Sequence, residues 1–264
     1  MLINKLQKYV KETNWVTKIL SILIPVLMLI LWEYASTNGI LNSSILPRPT
    51  KIWAACVAQI ESGALQRHIV ASVDHIAKGF LLGSALGLVF GCIFGLNKRV
   101  EEVFNLLLGM VRPIPPIACI PVFILLLGIG ERSKVAVIAL GSFWPVLVNT
   151  TEGIRGTDKD LLELAATIEK SKLRVLTEIV LPSAIPSIFT GLKLGISRAW
   201  SCVVVAEMIA ASRGVGYLIE YARSLSKPDI MFVGVATIGI IGLAIDGCMD
   251  LLQRKLLYWH DIEK

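Results

Sequence analysis

The sequence has little charge for its length. Asp, Glu, Lys and Arg make up 17% of its 264 residues, whereas a soluble domain usually has about 25%. The hydrophobic residues, 55% of the chain, fall in blocks of roughly 18–25 residues, the length that a helix needs to cross the hydrocarbon core of a bilayer. Soluble proteins with deeply buried helices rarely need so many blocks of this length. We therefore predict an all-α, polytopic membrane protein.

Motifs for nucleotide hydrolysis, metal binding and acyl transfer are missing. The chain has no G-x-x-x-x-G-K-[ST] segment to hold ATP phosphates, no H-E-x-x-H and no G-x-S-x-G. Its three histidines, His68, His75 and His260, are far apart, and its five cysteines form no C-x-x-C pair. The sequence thus predicts no catalytic residue, no metal site and no cofactor bound by this chain, so ATP hydrolysis would require another subunit.

Six hydrophobic segments have the length of membrane-spanning helices. Backbone polar groups inside a bilayer must bond within their own segment, so we expect each segment to be helical. No A-x-A-like cleavage site follows the first segment, and we interpret it as an uncleaved span. The predicted spans are residues 17–37, 75–96, 104–127, 134–151, 188–211 and 230–252.

Lys and Arg are distributed unevenly between the two sets of connecting segments. They are more numerous at the N-terminus, between residues 97 and 103, from 152 to 187 and after residue 252 than in the other set. Since cytoplasmic loops are enriched in Lys and Arg, we expect this set, with both termini, to face the cytoplasm. This topology accounts for the net charge of +6. No loop combines basic with aromatic residues, so nucleic-acid binding is not indicated.

The second predicted span carries a stripe of glycines. Glycine recurs at every fourth position, a spacing that lets membrane helices approach each other closely. We therefore expect this stripe to be a packing seam. Its members are Gly79, Gly83, Gly87, Gly91 and Gly95.

The third predicted span contains four prolines within nine residues. Pro113, Pro115, Pro116 and Pro121 each remove a backbone donor and crowd the preceding turn, so the helix must be kinked or broken there. Broken membrane helices often line substrate pathways. A purely structural bend is the alternative.

The most polar segment lies between the fourth and fifth spans, at residues 152–182. Asp158 and Asp160 begin a short predicted helix, where acidic side chains favour the positive end of the helix dipole. Residues 173–180 form a second amphipathic stretch that ends at Pro182, where the chain must turn into the fifth span. Short surface helices with one apolar face indicate a docking site for another protein.

This segment resembles the cytoplasmic signature of the permeases of binding-protein-dependent ABC importers. The signature reads E-A-A, three residues, G, nine residues and I-x-L-P. The residues that fall in register are Glu163, Ala165, Ile179, Leu181 and Pro182.

Two positions depart from the signature. Leu164 takes the place of the first alanine, and Glu169 takes the place of the glycine that breaks the two coupling helices of the family. We therefore expect Glu169 to make this loop more continuously helical. The resemblance implies that the loop contacts an ATP-binding subunit through Glu163, Leu164, Ala165, Ala166, Glu169 and Pro182.

Further segments are similar to the nitrate, sulfonate and taurine branch of this family. They are Leu46-Pro47-Arg48-Pro49, Arg112-Pro113-Ile114-Pro115-Pro116 with Ile120-Pro121, and Glu207 with Gly214-Val215-Gly216-Tyr217-Leu218-Ile219. They extend the resemblance over most of the chain. It implies the fold of a type I ABC importer permease, with one transmembrane domain over residues 1–264.

The resemblance also implies an assembly and a mechanism. Two permease chains, commonly identical copies, pair in the lipid bilayer of the bacterial plasma (inner) membrane, and each docks on one ATP-binding subunit. That subunit binds ATP and Mg, and a soluble extracytoplasmic solute-binding protein delivers the solute. The implied function is that of a transport subunit rather than an enzyme. Its solute would be a small anion of the aliphatic sulfonate, taurine or nitrate class.

Other functions stay open at the level of sequence. A permease of the same branch could carry a thiamine precursor or another small organic solute. An ion-driven secondary transporter would normally show internal repeats, and we find no convincing repeat between the two halves of this chain. A membrane enzyme would need His, Asp or Glu clustered at one membrane face, and the sequence shows no such cluster.

Ionisable residues inside a span indicate function by default, because charge in a bilayer is costly. Arg112 either faces an anionic solute or extends its guanidinium group to the membrane interface. Glu207 is interpreted as a gate or pathway residue, and it lies about 13.5 Å along the helix from Arg198, too far for direct pairing. The predicted translocation pathway contains Arg112, Pro113, Pro116, Arg198 and Glu207.

Overall fold

The computed structural model describes the backbone of residues 2–257 and the side chains of residues 19–257. Within this range the chain is built from helices and has no β-strand, which confirms the predicted all-α fold. The helices are α1 (Leu2–Thr37), α2 (Pro49–Glu61), α3 (Ala64–Leu96), α4 (Lys98–Val111), α5 (Ile120–Leu127), α6 (Glu131–Arg155), α7 (Lys159–Thr167), α8 (Lys172–Val175), α9 (Leu181–Ala210), α10 (Val215–Ser224) and α11 (Pro228–Leu256).

Five helical segments of the described chain are long and apolar enough to cross a membrane individually. They are Ile19–Thr37 of α1, all of α3, all of α6, the continuous helix Lys172–Ala210 that contains α8 and α9, and α11. The pair α4 and α5 meets the same criterion only together, which gives the six predicted spans if the pair counts as one. The basic residues before residue 19 and after residue 257, used above for orientation, lie outside the described side chains.

The third span is broken, as its prolines predict. α4 ends at Val111, a short 3₁₀ helix covers Pro116–Cys119, and the two halves of the span are bent by 81°. Pro116 begins the 3₁₀ helix, and Pro121 lies in the first turn of α5. A first turn tolerates proline because its N–H groups have no partner within the helix.

The fifth span differs from the prediction at its start. Pro182 does not turn the chain, because a π-helical segment, Leu176–Val180, joins α8 to α9 without a break. Pro182 lies in the first turn of α9. The wider π-helical turn accommodates the proline without ending the helix. The part of the polar loop from Lys172 on is therefore continuous with the fifth membrane span.

The centre of the fold is α6, which packs between α3 and α9. The glycine stripe of α3 faces α6 along its whole length, and a Cβ atom placed on Gly91 would lie 2.6 Å from Thr150 Cβ. On an adjacent face of α6, a Cβ atom on Gly191 of α9 would lie 2.8 Å from Asn149 Cβ. Both distances are shorter than real side chains allow, so the predicted packing seam is confirmed, and α6 has a second seam with α9.

Among its described side chains, from Ile19 on, α1 joins this bundle near its C-terminal end. Trp32 packs against Phe232 of α11 with ring centroids 5.6 Å apart. Glu33 accepts hydrogen bonds from the backbone N–H and the hydroxyl of Thr50, at 3.1 and 2.9 Å, in the first turn of α2. A carboxylate at this position favours the positive end of the α2 dipole. The apolar residues between Ile19 and Leu31 are exposed, which suits a helix surrounded by lipid.

Replacement of Gly83 by Ala should destabilise the protein, because the new methyl group would overlap the backbone carbonyl of Ala139. We expect a loss of about 1–3 kcal/mol in the free energy of unfolding, as for other overpacked interiors. Gly239→Ala in α11 is the matched control, since open space surrounds that position. Thermal unfolding in detergent measures both variants, and equal stability of the two would show that the seam is not tightly packed.

Candidate functional site

A cavity of about 560 Å³ lies beside the break in the third span, halfway along α6 and α9. We call it the central cavity. Its wall consists of residues 112–117, of α6 between Gly141 and Asn149, and of α9 between Leu194 and Cys202. Four of the five residues predicted for the translocation pathway line it: Arg112, Pro113, Pro116 and Arg198.

The central cavity has an electropositive wall. Arg112 and Arg198 contribute two guanidinium groups to its lining, and no carboxylate is part of that lining. Within the described residues, neither arginine has a carboxylate oxygen within 4 Å. Both arginines are exposed, and two guanidinium groups on one wall attract a negatively charged partner. The wall is therefore suited to bind an anion.

Other polar groups surround the two arginines. Asn149 and Ser201 line the cavity, and so does Trp144. The indole N–H of Trp144 is buried and has no hydrogen-bond acceptor in the described part of the chain. A buried donor without an acceptor costs about 1–3 kcal/mol.

Glu207 lies apart from the central cavity, at the end of the bundle where α6 begins. Its carboxylate is almost completely buried, with 1% of the residue exposed. One oxygen accepts hydrogen bonds from the Ser72 hydroxyl at 2.8 Å and from the Gly216 backbone N–H at 3.0 Å. The other oxygen lies 2.8 Å from Nδ1 of His75. The predicted role of Glu207 as a gate or pathway residue stays a prediction.

The network around Glu207 continues into a third helix. Nζ of Lys134, in α6, lies 3.0 Å from Nε2 of His75, in α3. An ammonium group can only donate, so Nε2 of His75 accepts, and Nδ1 carries the hydrogen that is donated to Glu207. This chain of hydrogen bonds from Lys134 through His75 to Glu207 ties α3, α6 and α9 together at one end.

The loop after α9 closes over the Glu207 carboxylate. Gly214 has a φ angle of 122°, and a Cβ atom at this position would overlap the carboxylate of Glu207. The backbone N–H of Val215 donates to the Ser72 hydroxyl at 2.8 Å. The backbone N–H groups of Val215 and Gly216 can therefore reach Ser72 and Glu207 because the glycines of this segment have no side chains.

Sequence reasoning identified Glu207 but not its partners. Ser72 and His75 lie 135 and 132 residues away in the chain, and Lys134 is linked to His75 across 59 residues. One signal was available: a carboxylate predicted at membrane depth requires a partner. A single sequence offers several candidate partners and no means of choosing among them.

The polar loop forms the predicted helix as α7. Asp158 precedes it, and its carboxylate accepts a hydrogen bond from the Asp160 backbone N–H at 2.9 Å. Ala165 is buried against the rest of the chain, with 2% exposed, and Leu162 packs on a cluster that contains Ile154.

A neighbouring face of α7 is apolar and uncovered. Leu161, Leu164 and Ile168 are 44%, 58% and 61% exposed, and their spacing places them on one side of the helix. Glu163 and Ala166 are exposed as well. Of the residues predicted to contact an ATP-binding subunit, Ala165 thus faces this chain itself. Its neighbours Glu163, Leu164 and Ala166 are free to meet a partner.

The expectation for Glu169 was wrong. Glu169 does not extend the helix but adopts a left-handed conformation with φ at 52°. The N–H of Lys170 bonds to the carbonyl of Ala165 at 3.0 Å, and the N–H of Glu169 bonds to that of Ala166 at 3.1 Å. This pair of bonds is the Schellman motif, which normally places glycine at the left-handed position. These two hydrogen bonds require the left-handed conformation at Glu169. The helix therefore still ends here, although this residue is not glycine.

Comparison with known proteins agrees with this architecture. The family described as "Binding-protein-dependent transport system inner membrane component" matches residues 83–258. The putative aliphatic sulfonates transport permease protein SsuC of Bacillus subtilis strain 168 is 38% identical over 251 residues, which cover 95% of this chain and 90% of SsuC. The taurine transport system permease protein TauC of Escherichia coli K12 is 30% identical over 238 residues, covering 88% and 86% of the two chains.

A solved structure shares the fold. A chain of the MetNI methionine ABC transporter, in an inward-facing conformation, superposes with a TM-score of 0.64 at 16% identity, covering 72% of this chain and 95% of that chain. The present chain belongs to the family of binding-protein-dependent transport system inner membrane components. It is a membrane-spanning permease subunit of an ABC importer, and the predicted resemblance is confirmed.

Replacement of Glu207 by Ala should strongly destabilise the permease, because His75 and the Gly216 N–H would lose their acceptor inside the protein. Breaking a buried pair of this kind costs about 3–5 kcal/mol. Thermal unfolding in detergent provides the measurement. Glu102→Ala is the control: its carboxylate is exposed and pairs only with exposed Lys98, so we expect a change below about 1 kcal/mol. Similar stability of the two variants would contradict the network.

Replacement of Glu169 by Gly should stabilise the permease by about 1 kcal/mol, because glycine adopts the left-handed conformation without the strain of a Cβ atom. The same substitution at the next position, Lys170→Gly, is the control and should give no gain, because Lys170 lacks a positive φ. Thermal unfolding distinguishes them. Loss of stability in Glu169→Gly would show that the carboxylate makes a contact that outweighs the strain.

Proposed function

We propose that this permease imports a small anionic solute, and that the solute passes through the central cavity. The observation that carries the proposal is the pair Arg112 and Arg198. These two guanidinium groups lie in the wall of one cavity, halfway along α6 and α9, without carboxylate partners among the described residues. Guanidinium groups bind planar and tetrahedral oxyanions through paired hydrogen bonds. The solute class named for the similar proteins SsuC and TauC, sulfonates and taurine, has such a group.

The size of the central cavity suits this solute. Its volume of about 560 Å³ lies within the usual range of small-molecule sites, about 300–1,000 Å³. A cationic solute would meet two like charges, which favours the anion. Nitrate and aliphatic sulfonates both fit these requirements.

A second copy of the chain completes the pathway in this proposal. The central cavity is open on one side, and this chain alone does not enclose it. The neighbouring helix α5 presents bare apolar residues, of which Leu125 and Leu126 are 85% and 70% exposed. Two identical copies that meet along this face would cover α5 and place four arginines around one passage.

Energy comes from a separate ATP-binding subunit in this proposal, and this chain itself is not an enzyme. ATP and Mg bind on that subunit, which docks on the exposed face of α7 formed by Leu161, Leu164 and Ile168. The coupling loop, residues 152–182, is part of one transmembrane domain that spans residues 1–264. Supporting this are the family match and the uncovered apolar face.

The orientation follows from the docking of α7. If α7 meets an ATP-binding subunit, it lies in the cytoplasm, and both termini lie on the same side of the bacterial plasma membrane. The end of the bundle where α6 begins then faces outward. An extracytoplasmic solute-binding protein would deliver the solute to that end.

Replacement of Arg112 or Arg198 by Gln should lower uptake of the anion about tenfold or more, because each guanidinium group contributes a charged hydrogen bond to the solute. The measurement is ATP-dependent uptake into proteoliposomes that contain the complete importer. Candidate solutes are methanesulfonate, taurine and nitrate.

The control for this experiment is Arg132→Gln, which removes an exposed arginine outside the central cavity. Arg112→Lys tests whether charge alone suffices. Uptake that is unchanged in both Arg112→Gln and Arg198→Gln would exclude the central cavity as an anion pathway.

A further inference from the structure

A second cavity, of about 900 Å³, lies at the end of the bundle where α6 begins. We call it the entry cavity. The first turns of α3 and α6 and the segment after α9 form its wall, and it shares no lining residue with the central cavity. His75 and Lys134, both 7% exposed, contribute to its wall, so it directly adjoins the network around Glu207.

The lining of the entry cavity has more cationic side chains than carboxylates, and these cations lack close carboxylate partners among the described residues. Asp74 and Glu131 both line the cavity, and both accept hydrogen bonds from Lys78. Arg67, Lys134 and Arg213 also line it, and none of them has a carboxylate oxygen within 4 Å among the described residues. The cavity therefore carries unpaired positive charge.

Lys134 provides the strongest indication of a missing ligand. Its buried ammonium group has three N–H donors, but the described part of the chain supplies one acceptor, Nε2 of His75 at 3.0 Å. His75 cannot supply more, since its other nitrogen bonds to Glu207. Buried donors of a charged group need acceptors. An oxyanion in the adjoining cavity has oxygen atoms to offer.

The helix α6 adds to this preference for an anion. It begins at Glu131, and its N-cap, Gly130, lines the entry cavity and has no side chain to cap the first N–H groups. The positive end of a helix of 25 residues thus borders the cavity. The partial charge of this helix end adds to that of Lys134 and of the two arginines.

We propose that the entry cavity binds a small oxyanion, with Lys134 as the buried cation and Arg67 and Arg213 at the rim. That this anion is the solute on its way to the central cavity rests on the proposed function. The site itself rests only on the charges, burial and hydrogen bonds of the residues that line this cavity.

The test measures protection of a cysteine in the entry cavity. Ser212, exposed in the cavity wall, is replaced by Cys in a chain in which Cys56 and Cys248 are replaced by Ser. The permease with its ATP-binding subunit is placed in lipid nanodiscs without any binding protein, and the rate of maleimide labelling is followed. Methanesulfonate should slow labelling in a saturable way, whereas tetramethylammonium chloride at the same ionic strength should not.

Substitutions of lining residues test whether methanesulfonate protects the introduced cysteine by binding in the entry cavity. Arg213→Gln should raise the methanesulfonate concentration for half-protection about tenfold, the effect of one lost charged hydrogen bond. Arg132→Gln removes another exposed arginine, which lies outside the entry cavity, and should leave this methanesulfonate concentration unchanged. Lys134→Gln should abolish protection. Lys134 also belongs to the Glu207 network. If Lys134→Gln does not fold for that reason, the comparison of Arg213→Gln with Arg132→Gln still tests the proposal.

Three outcomes would overturn the proposal. They are no protection by methanesulfonate, equal half-protection concentrations in Arg213→Gln and Arg132→Gln, and equal protection by methanesulfonate and tetramethylammonium chloride. Failure of the proposed function is seen separately, as uptake that does not depend on Arg112 and Arg198. Protection that persists in Arg112→Gln supports an independent entry site.

Discussion

Close approach of helix backbones is the interaction on which the rest of this permease depends. Lipid tails are as apolar as the side chains, so contact between helices, rather than exclusion of water, must hold a membrane bundle together. Here α6 meets α3 and α9 through glycines that leave no space for a side chain, as at Gly91 and Gly191. The resulting three-helix unit fixes the walls of the central cavity and the positions of the polar groups at the end of the bundle.

The charged groups fall into two kinds within this frame. At the end where α6 begins, Glu207, His75 and Lys134 come from three helices, and the carboxylate is satisfied by hydrogen bonds. Halfway along the bundle, Arg112 and Arg198 lack carboxylate partners among the described residues. Groups of the first kind stabilise an arrangement of helices, whereas in the proposed function groups of the second kind bind the solute.

Local patterns could be predicted from the sequence, and long-range partners could not. The glycine spacing predicted a seam but not that α6 would fill it, because any helix with a suitable surface could have done so. The prolines predicted a break, and the structure adds the bend of 81°. Glu169 misled the prediction because helix propensity favours continuation, whereas the two terminal hydrogen bonds favour the left-handed turn. The helix α3 begins at Ala64, before the predicted start of the second span at residue 75, since its first turns are helical without being apolar throughout.

The glycine seams have a mechanical consequence. Neither α3 nor α9 can slide along α6 or rotate about it without driving backbone into side chain, and packed surfaces of this kind move from one arrangement to another rather than deforming gradually. These three helices must therefore travel as one rigid body during transport. The broken segment between α4 and α5 lies outside this rigid unit and offers one place where the chain can bend.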